Sequence, residues 1–266
     1  MTDESRGLAV ITGASTGIGA TYADRLVRRG YDLLLVARDE ARLTALATRL
    51  EQETGRKASV HRADLTDPAQ VAALAERIEN DEALTLLVNN AGMSLRGTLA
   101  TSGAEEVARL VALNVVAPTL LARAAVQSLA KRGHGGIINL SSVLALAPEM
   151  SDSTYSASKA FILNLTQGLA NELKDSGVRV QAVLPGATRT EIWERSGKDI
   201  DAFPAEMVME VGDLVDAALA GFDVGETVTI PPLHDEGQWQ VFQTARLAMA
   251  PNISRREVAE RYRALV

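Results

Sequence analysis

The sequence predicts a single doubly wound α/β domain over residues 1–266, with a parallel sheet of about seven strands flanked by helices. Three observations predict it. Apolar runs of four to seven residues recur along the chain, and most are followed by a segment whose apolar residues have helical spacing. The first run leads straight into a glycine-rich turn, Gly13 to Gly19, and then into such a helical segment. Finally, Gly13, Arg38, Asp64, Asn90, Ser142 and Pro185 each lie just past the end of a run. In a parallel sheet that puts them on one edge, where α/β sheets bind ligands beyond the carboxyl ends of their strands.

Gross composition narrows the function. A net charge of -7 and a pI near 5.1 argue against gripping phosphate backbones, so no nucleic-acid partner is expected. With 47% apolar residues the chain can build a large core. The absence of cysteine excludes disulfides, thiolate catalysis and zinc–cysteine sites, and no metal site is expected. No stretch approaches eighteen uninterrupted apolar residues and the start, MTDESRG, has no apolar run like a signal peptide's. A soluble, cytoplasmic protein without a membrane span is the expectation.

Gly7 to Thr12 (GLAVIT) reads as the first strand. Gly13, Ser15, Thr16, Gly17, Ile18 and Gly19 form the turn after it, and Ala20, Ala23, Leu26 and Val27 fall on one helical face. Strand, glycine turn and helix aim free N–H groups and a positive helix end at a phosphate, and glycines let a dinucleotide approach closely. Asp32 to Ala37 (DLLLVA) is the second strand, followed by Arg38. In a dinucleotide fold a carboxylate at this place binds a free ribose 2′-hydroxyl, whereas an arginine accommodates a 2′-phosphate. Arg38 therefore predicts NADP(H) in preference to NAD(H), with Arg42 one turn on to reinforce it. Lys57 to Arg62 is a weaker third strand, ending near Asp64 and Leu65, and Thr66, Asp67 and Pro68 read as a helix start. Leu84 to Val88 is the fourth, running into Asn89, Asn90, Ala91 and Gly92, where the carboxamides suit structural as well as ligand roles.

A long helix is expected from about Ala104 to Lys131, perturbed by Pro118 in a way that would free the carbonyl of Asn114 to bind water. Ile137 to Leu140 delivers Ser141 and Ser142, and Val178 to Leu184 delivers Pro185, Gly186, Thr188 and Thr190. Residues 186–211 are polar and mixed, with Trp193, Phe203, Met207 and Met209 scattered among them, and read as a substrate loop or lid. A helix over Asp213 to Phe222 and a last strand over Thr227 to Ile230 precede an apolar tail, 233–266. Its Trp239, Phe242, Leu247, Tyr262 and Leu265 suggest two short helices that cover a subunit interface or a pocket rim.

Tyr155 and Lys159 are four residues apart in a helical segment and so share a face. An ammonium beside a phenol favours the phenolate, and bringing a phenol from about 10 to about 7 needs roughly 4 kcal/mol of differential stabilisation. A lysine and a cationic cofactor ring in a partly dry cleft would supply it.

These residues together resemble the short-chain dehydrogenase/reductase family over nearly the whole chain. The likeness is carried by Thr12 to Gly19, Asp64 and Leu65, Asn89 to Gly92, Asn114, Ser142, Tyr155 to Lys159, and Pro185 and Gly186. It implies a Rossmann-type fold, a nicotinamide dinucleotide and a homodimer or homotetramer formed through the helices around 104–131 and 154–175. It further implies that Tyr155 exchanges a proton with the substrate oxygen while Lys159 lowers its pKa and holds the nicotinamide ribose. Ser142 would polarise the substrate oxygen, and Asn114 would anchor a water leading from Lys159 to solvent. Asp64 would meet the adenine amine, Leu65 its ring, and Asn90, Ala91 and Gly92 the adenine ribose. Backbone at Thr188 would meet the carboxamide and Thr190 the phosphates. Two departures concern the substrate: Ala145 stands where many members have glycine, and the tail is longer and more apolar than theirs.

The expected activity is NADP(H)-dependent interconversion of a carbonyl and an alcohol on a small molecule with an apolar body. The alternative is a catalytically silent NADP(H)-binding sensor that keeps the fold without the reaction. A dehydratase or epimerase would need a larger substrate domain than follows Pro185.

Overall fold

The computed structural model describes residues 5–150, 152–197 and 199–263. Leu265, read with the tail, lies outside the described residues, as do Ser151 and Lys198. Two compact units are distinguished, Met1–Pro232 and Leu233–Val266.

In the first unit the order is β1 (Leu8–Thr12), α1 (Gly17–Arg28), β2 (Asp32–Ala37), α2 (Glu40–Thr54), β3 (Ala58–Arg62), α3 (Pro68–Asn80) and β4 (Leu84–Asn89). There follow α4 (Ala104–Val111), a π-turn (Ala112–Val116), α5 (Ala117–Arg132), β5 (Gly135–Leu140), α6 (Ser153–Glu172) and β6 (Val178–Val183). A short α7 (Ile192–Arg195), α8 (Val211–Asp223) and β7 (Val228–Thr229) complete it. The sheet runs β3-β2-β1-β4-β5-β6-β7 with every pairing parallel. The chain winds outward from β1 in one direction and from β4 in the other, so the crevice between them is the natural ligand site.

Alternation along the strands sorts the core into two layers. Ala9, Ile11, Leu33 and Leu35 face Tyr22, Leu26, Leu43, Leu50, Val215 and Leu219 of α1, α2 and α8. Val10, Leu34, Val36 and Leu87 face Val71, Leu74, Ile78, Leu121, Ala125 and Leu129 of α3 and α5. Each wholly buried large side chain contributes about 1.5–3 kcal/mol against the entropy of ordering the chain. Helix starts follow the sequence: Asp39, Asp67 and Asp152 accept backbone N–H groups of the first turns of α2, α3 and α6.

The helix expected over Ala104 to Lys131 is present but is not a regular α-helix. Pro118 has no N–H to give the carbonyl of Asn114 four residues back, and the chain meets this with the π-turn rather than a break. By length and composition alone Ala104–Arg132 is apolar enough to cross a membrane. Packing accounts for one of its faces, since Ala117, Leu121, Ala124, Ala125 and Leu129 are buried in the second layer, while Val111, Val116 and Leu120 are exposed.

In the second unit, α9 (Glu236–Met249) is capped by Asp235, whose Oδ1 accepts Gly237 N at 2.9 Å. It stacks Trp239 on Phe242 at 5.5 Å, and α10 (Glu260–Arg263) ends the described chain. No residue of α9 is buried.

Candidate active site

β1 ends at Thr12, whose Oγ1 accepts the N–H groups of Asn90 and Ala91 at 3.0 and 3.1 Å. Asn90 Nδ2 donates back to the Thr12 carbonyl at 2.9 Å and to the Gly13 carbonyl at 3.3 Å. These bonds lock the ends of β1 and β4 together and set the shape of the turn. Gly13 has φ +66°, and a Cβ on Gly19 would collide with the Gly13 carbonyl and the Asn90 amide. The N-terminus of α1 is thereby brought to the crevice, with the positive end of the helix towards it.

A cavity of about 690 Å³ runs along this edge. At one end it is lined by Gly13, Ser15, Thr16, Gly17 and Ile18 of the turn and, beyond β2 and β3, by Arg38, Asp64 and Leu65. Asn90, Ala91 and Gly92 form its floor, and Tyr155, Lys159, Pro185 and Thr190 its other end. Of the residues read from sequence, Gly19, Asn114, Ser142, Gly186 and Thr188 do not line it.

Arg38 is exposed and makes no ion pair or hydrogen bond among the described residues. Burial pushes the Asp64 carboxyl up, but hydrogen bonds from Thr66 N and Oγ1 at 2.9 and 2.8 Å outweigh it. The charges of Arg38 and Arg109 add to them, and the group is held below its ordinary value. Arg42, in the first turn of α2, is engaged elsewhere: its Nη1 lies 2.9 Å from both carboxylate oxygens of Glu191.

At the other end, Asp152 Oδ1 accepts Tyr155 N at 2.7 Å and fixes where α6 begins. Tyr155 and Lys159 then point one turn apart, with Lys159 Nζ 5.6 Å from the centre of the phenol ring. Lys159 is buried; Nζ donates to the Leu140 carbonyl at 2.9 Å, and Ser141 Oγ donates to the Lys159 carbonyl at 2.7 Å. Asn114 Oδ1 accepts Met93 N at 2.9 Å, while its Nδ2 donates to Met93 O at 2.8 Å and Ser158 Oγ at 3.1 Å. A Cβ on Gly92 would lie 3.4 Å from Asn114 Oδ1 and 3.5 Å from Lys159 Nζ, so both groups close on that glycine. Ser142 Oγ accepts Leu144 N at 3.2 Å and donates to the Pro185 carbonyl at 3.5 Å, and it lies near enough to the Tyr155 phenol to pull its pKa down.

Burial pushes the Tyr155 phenol up to about 12; the Ser142 hydroxyl pulls it down and the charge of Asp152 pushes it further up. Burial likewise lowers the Lys159 ammonium to about 8. The protein alone therefore keeps Tyr155 a neutral phenol, and the sequence argument that a neighbouring lysine favours phenolate is outweighed here by desolvation. Further positive charge in the cavity is required to lower it.

Thr188 is buried, and its carbonyl accepts Trp193 Nε1 at 2.8 Å. Thr190 packs on the glycine turn, its Cγ2 3.3 Å from where a Cβ on Gly17 would sit. The segment read as a lid is fastened internally. Arg189 N donates to Met209 O at 3.1 Å and Met209 N to Ala187 O at 2.9 Å, closing its neck. Arg189 also pairs with Asp201 at 2.8 Å and Glu210 at 3.3 Å, and Trp193 meets Phe203 edge-on at 5.1 Å.

Sequence reasoning missed Ser158 as the residue that positions Asn114, and Ser141 as the tie between β5 and α6. For Ser158 the signal was available, since it shares the helix face of Tyr155.

The family model described as short chain dehydrogenase matches residues 7–201. A short-chain dehydrogenase from Sphingobium yanoikuyae, solved in complex with NADPH, is 50% identical, with 96% of this chain and all of that one covered and a TM-score of 0.93. A bulky-bulky ketone specific alcohol dehydrogenase from Comamonas testosteroni is 46% identical over 96% of this chain and 98% of its own, with a TM-score of 0.89. An uncharacterized oxidoreductase from Staphylococcus saprophyticus is 32% identical over 80% of this chain and 89% of its own. With the family match covering most of the chain and solved relatives sharing its whole architecture, the protein belongs to the short-chain dehydrogenase/reductase family and is an oxidoreductase of alcohols and carbonyl compounds.

Proposed function

We propose that the protein interconverts a ketone and a secondary alcohol with NADP(H), and that Tyr155 is the proton donor or acceptor. The observation that carries this reading is that Tyr155 and Lys159 open into the same cavity as the glycine turn and Arg38. The residues fit a phosphorylated dinucleotide: a glycine turn at the start of α1 and, at the far end, an exposed arginine whose side chain makes no hydrogen bond or ion pair among the described residues. When bound, the nicotinamide supplies hydride transfer and, oxidised, the positive charge that the phenol lacks.

The chain's own residues do the rest. Tyr155 holds the proton at its hydroxyl, and Ser142, whose hydroxyl acts on that phenol, would orient the substrate oxygen. Lys159 presents a cation beneath the phenol and to the ribose hydroxyls. Ser158 and Met93 hold Asn114, which keeps Gly92 and Lys159 in register. The likeness to an alcohol dehydrogenase specific for bulky-bulky ketones supports a substrate with two sizeable groups on the carbonyl carbon. Exposed Val111, Val116 and Leu120 on the 104–132 helix and Phe161 on α6 support assembly of copies through those faces.

The test is Tyr155→Phe, which should abolish turnover of a bulky ketone panel while leaving NADPH affinity within about twofold. Wild-type rates in that variant would sink the mechanism. Tight NADPH binding by the wild-type protein with no turnover across the panel would favour the silent sensor instead.

A further inference from the structure

β2 and β6 are four strand positions apart in the sheet, about 19 Å at the usual spacing. Yet Arg42, just after β2, and Glu191, in the lid that follows β6, form an ion pair in which one guanidinium nitrogen, Nη1, lies 2.9 Å from both carboxylate oxygens. Both residues line the cavity, so the pair crosses its mouth beside the glycine turn on which Thr190 rests. Arg42 has a second carboxylate close by, Asp39 Oδ2 at 3.4 Å from its Nε. Four residues earlier, the Arg38 side chain makes no hydrogen bond or ion pair among the described residues, though its charge helps hold the Asp64 carboxyl down. Two arginines thus stand at the ribose end, one open and one held by the lid.

We propose that Glu191 is a cofactor-specificity residue: it holds Arg42 in competition with the 2′-phosphate, so a phosphorylated dinucleotide releases the lid from α2 and an unphosphorylated one does not. The inference rests on the reading of Arg38 as the phosphate site given above. A dianion placed at Arg38 attracts the guanidinium four residues on and repels Glu191, whereas a 2′-hydroxyl offers no charge for which Arg42 would leave its carboxylate partner. The lid that is released is already assembled. Its neck is closed by the Arg189–Met209 and Met209–Ala187 backbone bonds, and Arg189 ties it to Asp201 and Glu210. Loss of the Arg42 contact therefore frees a flap rather than unravelling a loop.

The test compares wild type, Glu191→Gln, Arg42→Ala, the double variant and Arg38→Ala, with NADPH and NADH binding followed by calorimetry. An exposed ion pair is weak, so Glu191→Gln should tighten NADPH binding about two- to fivefold. NADH binding should stay unchanged, and in the Arg42→Ala background the effect should vanish. Amide hydrogen exchange supplies a second readout. Cofactor-free Glu191→Gln should exchange faster than wild type in the 188–197 segment, and wild type with NADPH faster there than with NADH. Weaker NADPH binding by Glu191→Gln would overturn the inference and make Glu191 a strap over bound cofactor. An equal change for both dinucleotides would overturn it too. If instead wild type binds both cofactors equally and Arg38→Ala changes neither, the phosphate reading fails and this inference with it.

Discussion

The corner formed by β4, β5 and α6 and the lid over residues 186–211 are two solutions to holding side chains in place. In the corner, Asn114, Ser141, Ser158 and Lys159 are buried, and each bonds to backbone or to a neighbour in the same group. In the lid, Arg189, Glu191 and Asp201 are solvent-exposed or half-buried, and salt bridges and one aromatic pair do the work. Buried polar groups without partners are costly, so displacing any of these four side chains from its bonds is penalised. Exposed ion pairs are cheap to break, so the lid can exchange partners. The difference separates a buried, hydrogen-bonded corner, where the proposed proton chemistry sits, from a segment held by contacts that are cheap to exchange.

Four substitutions would break or sharpen that contrast. The largest expected effect is Tyr155→Phe, which should cost about 10²- to 10⁴-fold in kcat/KM for a ketone substrate. Asn114→Leu strands the Met93 N–H and the Met93 carbonyl and removes the donor to Ser158 Oγ, which keeps its own bond to the Tyr155 carbonyl. It should lower unfolding stability by about 3 kcal/mol in urea titrations. A loss no larger than that of a surface substitution would mean the corner is not rigid.

Lys159→Met should move stability the other way. The folded-state pKa is depressed from 10.5 to about 8, so the unfolded chain binds more protons between those values. The native lysine thus destabilises below pH 8, and its penalty fades as pH rises towards 10.5. At pH 7 the cofactor-free Lys159→Met protein should be more stable by up to about 3 kcal/mol while inactive. The gain should close through that alkaline window, and lower stability at pH 7 would show that the Leu140 hydrogen bond outweighs desolvation. The smallest effect is expected in the lid. Trp193→Ala removes the contact with Phe203 and the bond to Thr188, worth about 1 kcal/mol locally. Its global unfolding midpoint should match wild type while KM for ketone rises several-fold.

Legibility in the sequence follows the same divide. The parallel sheet of seven strands and the placing of Tyr155 beside Lys159 were readable because both are periodic: apolar runs mark the strands, and a spacing of four puts the two side chains on one helix face. The serine and the glycine turn were readable because each sits where a run stops. The form of the 104–132 helix was not, since Pro118 announces a disturbance without saying whether it is a kink or a π-turn. The free Asn114 carbonyl was only half the expectation, as the side chain has the better defined task of holding Met93 and Ser158. The Arg42–Glu191 pair was invisible because exposed charges 149 residues apart carry no periodic mark. Desolvation of Tyr155 was underestimated for a related reason, since sequence shows which charge is near but not how dry the site is. The first tail helix, read as short, runs fourteen residues, with Pro251 in the turn that follows it.

The π-turn at Ala112–Val116 has a rotational meaning. A residue added to a helix with fixed ends turns everything downstream by about 100°. Before the turn the rod shows Arg109 to the cavity; after it, Leu121, Ala125 and Leu129 face the sheet. The rod thus works as a cam, its two lobes set out of phase by one residue. Shortening residues 112–116 by any single residue would bring the lobes into phase, and the helix could then serve the core or Asn114 but not both.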